Sequence, residues 1–166
     1  MPKFIYAAKF PNTIPITPYG NLEKKVTYKY DTNGNLIEYQ LENGTPVSLI
    51  WGFNKLKVVA KLENISYNQI PSSLITNIEN VTSSATSSEI NILNALNALR
   101  LSHDSNMQKA FITTINYNSL IGISSVTDPK SDSQTFHYDI FNRLQFVKDK
   151  EGKILSENEY HFRTQN

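Results

Sequence analysis

Few residues in this sequence have the types and spacing that catalysis or metal binding requires. His137 and Asp139 lie two positions apart, so they share one face if the segment is a strand. His103 and Asp104 are neighbours, and His161 stands apart from both pairs. A metal site or a general base needs further groups close by, and the sequence brings none near these residues. We therefore expect them to have structural roles.

A second candidate is the run of oxygen-bearing side chains at residues 31–35, with Glu42 further on. A calcium loop of this kind places Gly at its sixth position and helices on both sides. Here Leu36 takes the sixth position and the flanks alternate as strands do. The chain also lacks a Gly-rich phosphate loop, a Gly-x-Ser-x-Gly turn and a His-Glu-x-x-His pair. The sequence therefore predicts no catalytic residue, no cofactor, no metal and no enzymatic activity.

The overall composition excludes several classes of protein. The chain has 166 residues, which suits one domain spanning residues 1–166. With 16 Lys and Arg against 15 Asp and Glu, the net charge of +1 points neither to nucleic acid nor to an anionic membrane. The absence of cysteine excludes disulfides and thiolate zinc sites. Lys9 and Pro11 break the opening apolar run, so we expect neither a signal peptide in this chain nor membrane insertion.

Alternation of apolar and polar residues predicts β-hairpins in two parts of the chain, at residues 24–62 and 111–163. The last strand of the second part is expected at residues 153–162. Strands that follow one another through short turns form an antiparallel meander, so the fold is expected to be mainly β.

Between the two β-rich parts, around residues 68–109, the apolar residues follow a period near 3.6, which predicts a helical segment. Its main helix should follow a capping box in which Thr86 caps the first turn and Glu89 reaches back. A second, shorter helix could begin at Pro71.

One turn motif occurs in both β-rich parts. Its residues are Tyr30, Asp31 and Gly34 in the first copy, Tyr138, Asp139, Asn142 and Arg143 in the second, and Asp149 and Gly152 in the turn that follows. An Asp at the start of a turn can accept backbone N–H groups further on, which fixes the reversal. Asn142 can replace Gly34 because Asn tolerates a positive φ. These residues are therefore assigned structural roles.

This tandem spacing resembles the YD repeat of the RHS family, over residues 24–62 and 111–163. The strand at residues 49–53 is also similar to one in the Bacteroidetes-type members, which are surface or secreted proteins. The resemblance implies an antiparallel β-hairpin meander of YD-repeat type, with the helical segment at residues 68–109 as an insertion. It also implies an extracellular or cell-surface location, and hairpins that stack edge to edge into a shell or a rod.

Two functions are compatible with these patterns. The first is a non-catalytic scaffold segment, whose partners are neighbouring hairpins or further copies joined through the sheet edges. The second is an autonomous module that binds a glycan or a protein through an exposed aromatic face, with Tyr28, Tyr39, Trp51 and Phe53 as the first candidates. An enzyme would need a pocket of convergent His, Asp and Glu side chains, which the sequence does not assemble.

Overall fold

The computed structural model describes residues 3–8, 22–118 and 120–161, with side chains from Lys25 onward. The chain is mainly β, as predicted, and divides after Phe111 into two compact units. That the whole chain behaves as one domain stays a prediction. No helix within the described residues is long and apolar enough to span a membrane. The expected break at Lys9 and Pro11 lies outside the described residues.

The first unit contains five strands that follow one another in an antiparallel sheet. They are β1 Lys3–Ala8, β2 Leu22–Tyr30, β3 Leu36–Leu41, β4 Val47–Gly52 and β5 Lys57–Glu63. Strands β2 to β5 are the hairpins predicted for residues 24–62. Strand β1 was not predicted, because the sequence reasoning treated the opening residues only as a possible leader.

Two α-helices follow these strands, α1 Ser72–Ser83 and α2 Glu89–Arg100. Short 3₁₀ turns lie on either side, at Tyr67–Gln69 and Met107–Lys109. The helix expected from Pro71 is thus a full α1 of 12 residues.

The predicted cap of α2 was wrong. Ser88 caps the helix and its side chain accepts the N–H of Asn91, at 3.3 Å. The Thr86 hydroxyl lies before the cap and is hydrogen-bonded to Ser84 instead, at 3.0 Å. Glu89 is the first residue of the helix, where its charge is favourable but where it cannot reach back as the third residue of a capping box.

The core of the first unit lies between one face of the sheet and the two helices. Its fully buried side chains are Ile50, Val59 and Leu62 from the sheet, Ile65 from the following loop, and Ile78, Leu96 and Leu99 from the helices. Contact between α1 and β4 is close at Gly52, where an added Cβ would lie 2.6 Å from Thr82 Oγ1. This packing accounts for the alternating burial along β4.

The second unit is also an antiparallel meander. Its strands are β6 Phe111–Asn118, β7 Gly122–Thr127, β8 Ser133–Tyr138, β9 Leu144–Lys148 and β10 Ile154–Glu157. The last strand is shorter than the predicted range of residues 153–162. Residues 158–161 are not strand, and the side chains of Asn158 and Tyr160 donate instead to the carbonyl of Leu144. Phe162 lies outside the described residues.

Candidate functional site

Four turns in the described part of the chain have the same hydrogen-bonded geometry. Each begins with an aspartate whose backbone N–H donates to the carbonyl oxygen four residues later, at 2.9–3.0 Å. The amide three residues after the aspartate donates back to the aspartate carbonyl, at 3.0–3.1 Å. The four aspartates are Asp31, Asp128, Asp139 and Asp149. We call these the aspartate turns. They join β2 to β3, β7 to β8, β8 to β9 and β9 to β10.

The aspartate side chain adds two hydrogen bonds to each of these turns. One carboxylate oxygen accepts the backbone N–H groups two and four residues later, at 2.8–3.0 Å in all four turns. An Asp side chain suits this role because its oxygen reaches amides two residues on without strain. The turn that begins at Asp128 belongs to the same set, with Ser131 at the position where Gly is common in the repeated turn motif.

The fourth residue of each aspartate turn has a left-handed backbone. The φ angle is +85° at Gly34 and +82° at Gly152, and it is 67° at Ser131 and 61° at Asn142. Gly adopts this conformation at little cost, and Asn does so more readily than most other residues. The same backbone is therefore preserved although the residue type varies.

The hairpins β2–β3 and β8–β9 also share their strand register. Beside the turn, Tyr30 pairs with Leu36 in the first hairpin and Tyr138 pairs with Leu144 in the second. The following pairs correspond one by one along both hairpins. The motif that repeats in the sequence therefore also repeats in the structure, because the hairpin in each unit has the same turn and the same strand pairing.

A β-bulge recurs at one position after three of the four turns. The residue six positions after the aspartate is skipped in the strand pairing, namely Ile37 in β3, Gln145 in β9 and Leu155 in β10. A bulge adds twist and shifts the pairing by one residue. The hairpin β7–β8, whose turn begins at Asp128, has the same turn but no bulge after it.

The second carboxylate oxygen of the aspartate faces a cation in both matching hairpins. Lys55 Nζ lies 3.7 Å from Asp31 Oδ2, and the guanidinium of Arg143 lies 2.7 Å from Asp139 Oδ2. Desolvation tends to raise the pKa of the Asp139 carboxyl, but the hydrogen bonds from Arg143 and Phe141 outweigh it and hold this pKa below its usual value. Sequence reasoning missed Lys55, because nothing local links it to Asp31.

In both hairpins an aromatic side chain donates a hydrogen bond to the backbone carbonyl of the residue five positions after the turn aspartate. The indole N–H of Trp51 donates to the carbonyl of Leu36, and the hydroxyl of Tyr160 donates to the carbonyl of Leu144, both at 2.8 Å. Arg143 also lies over the Tyr160 ring, at 4.2 Å from its centroid. The polar tip of each ring is therefore used inside its own unit.

The four candidate binding residues are all half-buried. Tyr28 and Tyr39 pair directly across β2 and β3, so they share one face of the sheet. Trp51 is fixed by its bond to Leu36, and Phe53 lies in the turn after β4 with Lys57 over its ring, at 5.4 Å. That these residues bind a glycan or a protein stays a prediction.

A strained turn connects β4 to β5. Residues 53–55 have left-handed backbone, with φ of 50°, 57° and 63°. Each costs roughly 1–2 kcal/mol when the residue is not Gly. The turn is held by helix α1, since Thr82 Oγ1 accepts the N–H of Phe53 at 3.1 Å and Glu79 accepts from Lys55 at 2.8 Å. The hydrogen bond to Glu79 raises the pKa of Lys55.

His137, Asp139 and Asp104 have local partners, and His103 is exposed. The His137 ring stacks on Phe146 with centroids 4.6 Å apart, whereas Asp139 accepts the amides of its own turn. The Asp104 carboxylate accepts the N–H of Asn106 at the 3₁₀ turn before β6. Among the residues that the structure describes, no group of three or more His, Asp or Glu side chains could hold a metal ion.

One open cleft of about 400 Å³ lies beside the turn of Asp139 in the second unit. It is lined in part by Arg143, Tyr160 and His161. His161 Nε2 lies 3.4 Å from Glu159 Oε2, and both side chains are more than three-quarters exposed. A catalytic pair works best in a site that excludes water, which this arrangement does not provide.

The described residues therefore contain four equivalent turns and one exposed strand, β10. Sequence reasoning found three of the four turn aspartates as a motif, and it did not anticipate the recurring bulge or the aromatic bonds to Leu36 and Leu144. No protein-family model matches this sequence, and comparison with the curated proteins finds no significant similarity.

Proposed function

We propose that this chain is a non-catalytic scaffold segment of a YD-repeat β-sheet protein, and that its sheet continues into neighbouring hairpins through the last strand, β10. The observation that carries this proposal is the aspartate turn, which recurs four times with the same hydrogen bonds. A local unit that is used repeatedly suits a protein whose task is to extend a sheet. The helices at residues 72–100 would then be an insertion, and the location would be the cell surface or outside the cell.

Strand β10 supports the proposal because it is built like an interior strand. Its bulge at Leu155 has the same place as the bulges at Ile37 in β3 and Gln145 in β9. Both of those strands pair on their far side as well, β3 with β4 and β9 with β10. The bulge is thus compatible with a further strand beside β10.

The composition of β10 points the same way. All four of its residues are exposed, including Ile154 at 48% and Leu155 at 51%. Edge strands are protected by lysine or proline, by shortness, by a β-bulge or by a covering element. Strand β10 is short and bulged, but it carries neither lysine nor proline, and within the described residues it pairs only with β9.

Light scattering of the purified chain across a concentration series tests this proposal. Free sheet edges should associate, so the average mass is expected to rise with concentration. Replacing Ile154 and Leu155 together by lysine should place like charges on the edge and abolish this rise. The control is Leu56→Lys, which changes a leucine that is even more exposed, at 76%, in the turn before β5.

Either of two results would overturn the proposal. One is a mass that corresponds to a monomer at every concentration. The other is association that the β10 variant and the Leu56→Lys variant reduce to the same extent, because this would mean general stickiness rather than pairing at β10.

A further inference from the structure

The bulges in β3 and β9 are each completed by an aromatic side chain. In β3 the carbonyl just before the bulge, that of Leu36, accepts the indole N–H of Trp51. In β9 the equivalent carbonyl of Leu144 accepts the hydroxyl of Tyr160, and both bonds are 2.8 Å long. The strand beside β3 or β9 pairs only with residues beyond the bulge. The aromatic donor therefore takes the place of a strand amide at these carbonyls.

The spacing of the aromatic donor is the same in both cases. Seven positions after the turn aspartate, the strand residue pairs with Ser48 in the first hairpin and with Glu157 in the second. Trp51 and Tyr160 each come three positions after that partner. Two strands of different composition thus place a hydrogen-bond donor on the equivalent carbonyl, at the same distance along the chain.

Strand β10 has the third bulge of this set, and its equivalent carbonyl is that of Ile154. The hydrogen bonds on either side show which way this carbonyl points. The carbonyl of Lys153 and the N–H of Asn158 are bonded on the β9 side of the strand, at 2.9 and 2.8 Å. Backbone groups alternate in direction along an antiparallel strand. The neighbouring residues Ile154 and Glu157 therefore direct their backbone groups away from β9.

No aromatic side chain completes the bulge of β10 within the described residues. Strand β9 is the one strand that pairs with β10 there, and all four side chains of β10 are exposed. The Ile154 side chain is 48% exposed. The Ile154 carbonyl can therefore be reached by a donor from another strand.

We infer that the strand which pairs with β10 carries a tyrosine or tryptophan three positions after the residue opposite Ser156, and that this side chain donates a hydrogen bond to the Ile154 carbonyl. The inference rests on the proposed function, in which the sheet continues past β10. It adds the chemistry of the partner, which is a hairpin strand with an aromatic donor. Phenylalanine has a ring but no donor, so it should not substitute.

Titration of the full chain with a fluorescently labelled peptide tests the inference. The peptide copies residues 154–161, because this segment already fits the equivalent bulge in β9. Glu157→Ser in the peptide copies Ser48 of β4 and removes a like charge beside Glu157 of the protein. In the expected register, Tyr160 of the peptide reaches the Ile154 carbonyl of the protein.

Fluorescence anisotropy should show binding that depends on the tyrosine hydroxyl. Tyr160→Phe in the peptide should weaken binding about fivefold, as expected for the loss of one hydrogen bond. Tyr160→Trp should preserve binding, because Trp51 makes the equivalent bond in the first unit. The matched control is Glu159→Gln in the peptide, which changes the residue before the tyrosine and should leave the affinity unchanged.

Amide hydrogen exchange locates the contact. The N–H of Glu157 faces away from β9, so its exchange should slow about tenfold or more when the peptide binds. The N–H of Asn158 is the control, because it is already bonded to the carbonyl of Gln145. Its exchange rate should change little.

Three results would overturn the inference. The first is equal binding of the peptides with and without the tyrosine hydroxyl, the second is binding that leaves the Glu157 amide unprotected, and the third is no binding of any peptide. The proposed function would still stand in each case if the mass of the protein alone rises with concentration, because that rise needs a free edge but no aromatic donor. A monomer at every concentration would overturn both.

Discussion

Gly52→Ala is expected to destabilise the first unit by about 2–3 kcal/mol. An alanine Cβ at this position would lie 2.6 Å from Thr82 Oγ1 and 3.0 Å from Val59 Cγ1. The threonine cannot easily move, since it is buried and its hydroxyl donates to the carbonyl of Ile78 at 2.7 Å. The added methyl group must therefore push helix α1 away from β4. Urea unfolding followed by circular dichroism measures the change.

Gly34→Ala is the matched control for this substitution. Gly34 has a φ of +85°, and an added Cβ there meets nothing within 4 Å. Its cost comes from the backbone alone and should be about 1 kcal/mol. In the double variant with Thr82→Ala, the cost of Gly52→Ala should fall because the closest atom is gone. If Gly52→Ala lowered the free energy of unfolding no more than Gly34→Ala does, helix α1 would not be closely packed on β4.

The second large effect is expected at Glu38, a carboxylate that is only 3% exposed. One of its oxygens accepts the backbone N–H of Tyr67 and the other accepts Lys29 Nζ, both at 2.7 Å. Glu38→Ala removes both bonds and leaves the Tyr67 amide without its acceptor, so we expect a loss of about 3 kcal/mol. Lys29 is 43% exposed at its side chain, but Lys29→Ala leaves the buried Glu38 carboxylate without its cation, so this variant should also cost about 3 kcal/mol.

The losses in the two variants have different causes. Both variants remove the same ion pair, but only Glu38→Ala disturbs the backbone at the turn before α1. Unfolding free energies of the two variants, measured side by side in urea, give the comparison. A Lys29→Ala variant as stable as the native protein would mean that the Glu38 carboxylate needs no cation, and a Glu38→Ala variant as stable as the native protein would mean that the bond to Tyr67 contributes nothing.

The hairpins β2 to β5 could be read from the sequence because the signals are local. Alternation and Asp-x-x-Gly turns depend on residues next to one another, and so these hairpins were expected at residues 24–62 and lie at residues 22–63. The wrong prediction of the α2 cap also arose because it relied on local signals. A segment with Thr86, Ser87 and Ser88 offers several local caps, and the choice of Ser88 depends on where packing against the sheet starts the helix.

Long-range features could not be read in this way. The contact of Lys55 with Asp31, the bond from Trp51 to Leu36, and the buried Glu38 all join residues that are far apart in sequence. Position 38 shows the difference clearly. Its counterpart in the second hairpin is Phe146, stacked on His137, so one register accommodates an ion pair in one copy and an aromatic stack in the other.

Amide hydrogen exchange, measured by NMR for each residue, tests whether one turn unit recurs in this protein. We expect the same pattern after Asp31, Asp128, Asp139 and Asp149, because the same amides are bonded in each turn. The amides of the aspartate and of the residues two, three and four positions later should be protected. The amide directly after the aspartate should exchange fast in Thr32, Ile140 and Lys150, and Pro129 has none. Four unrelated patterns would contradict the claim.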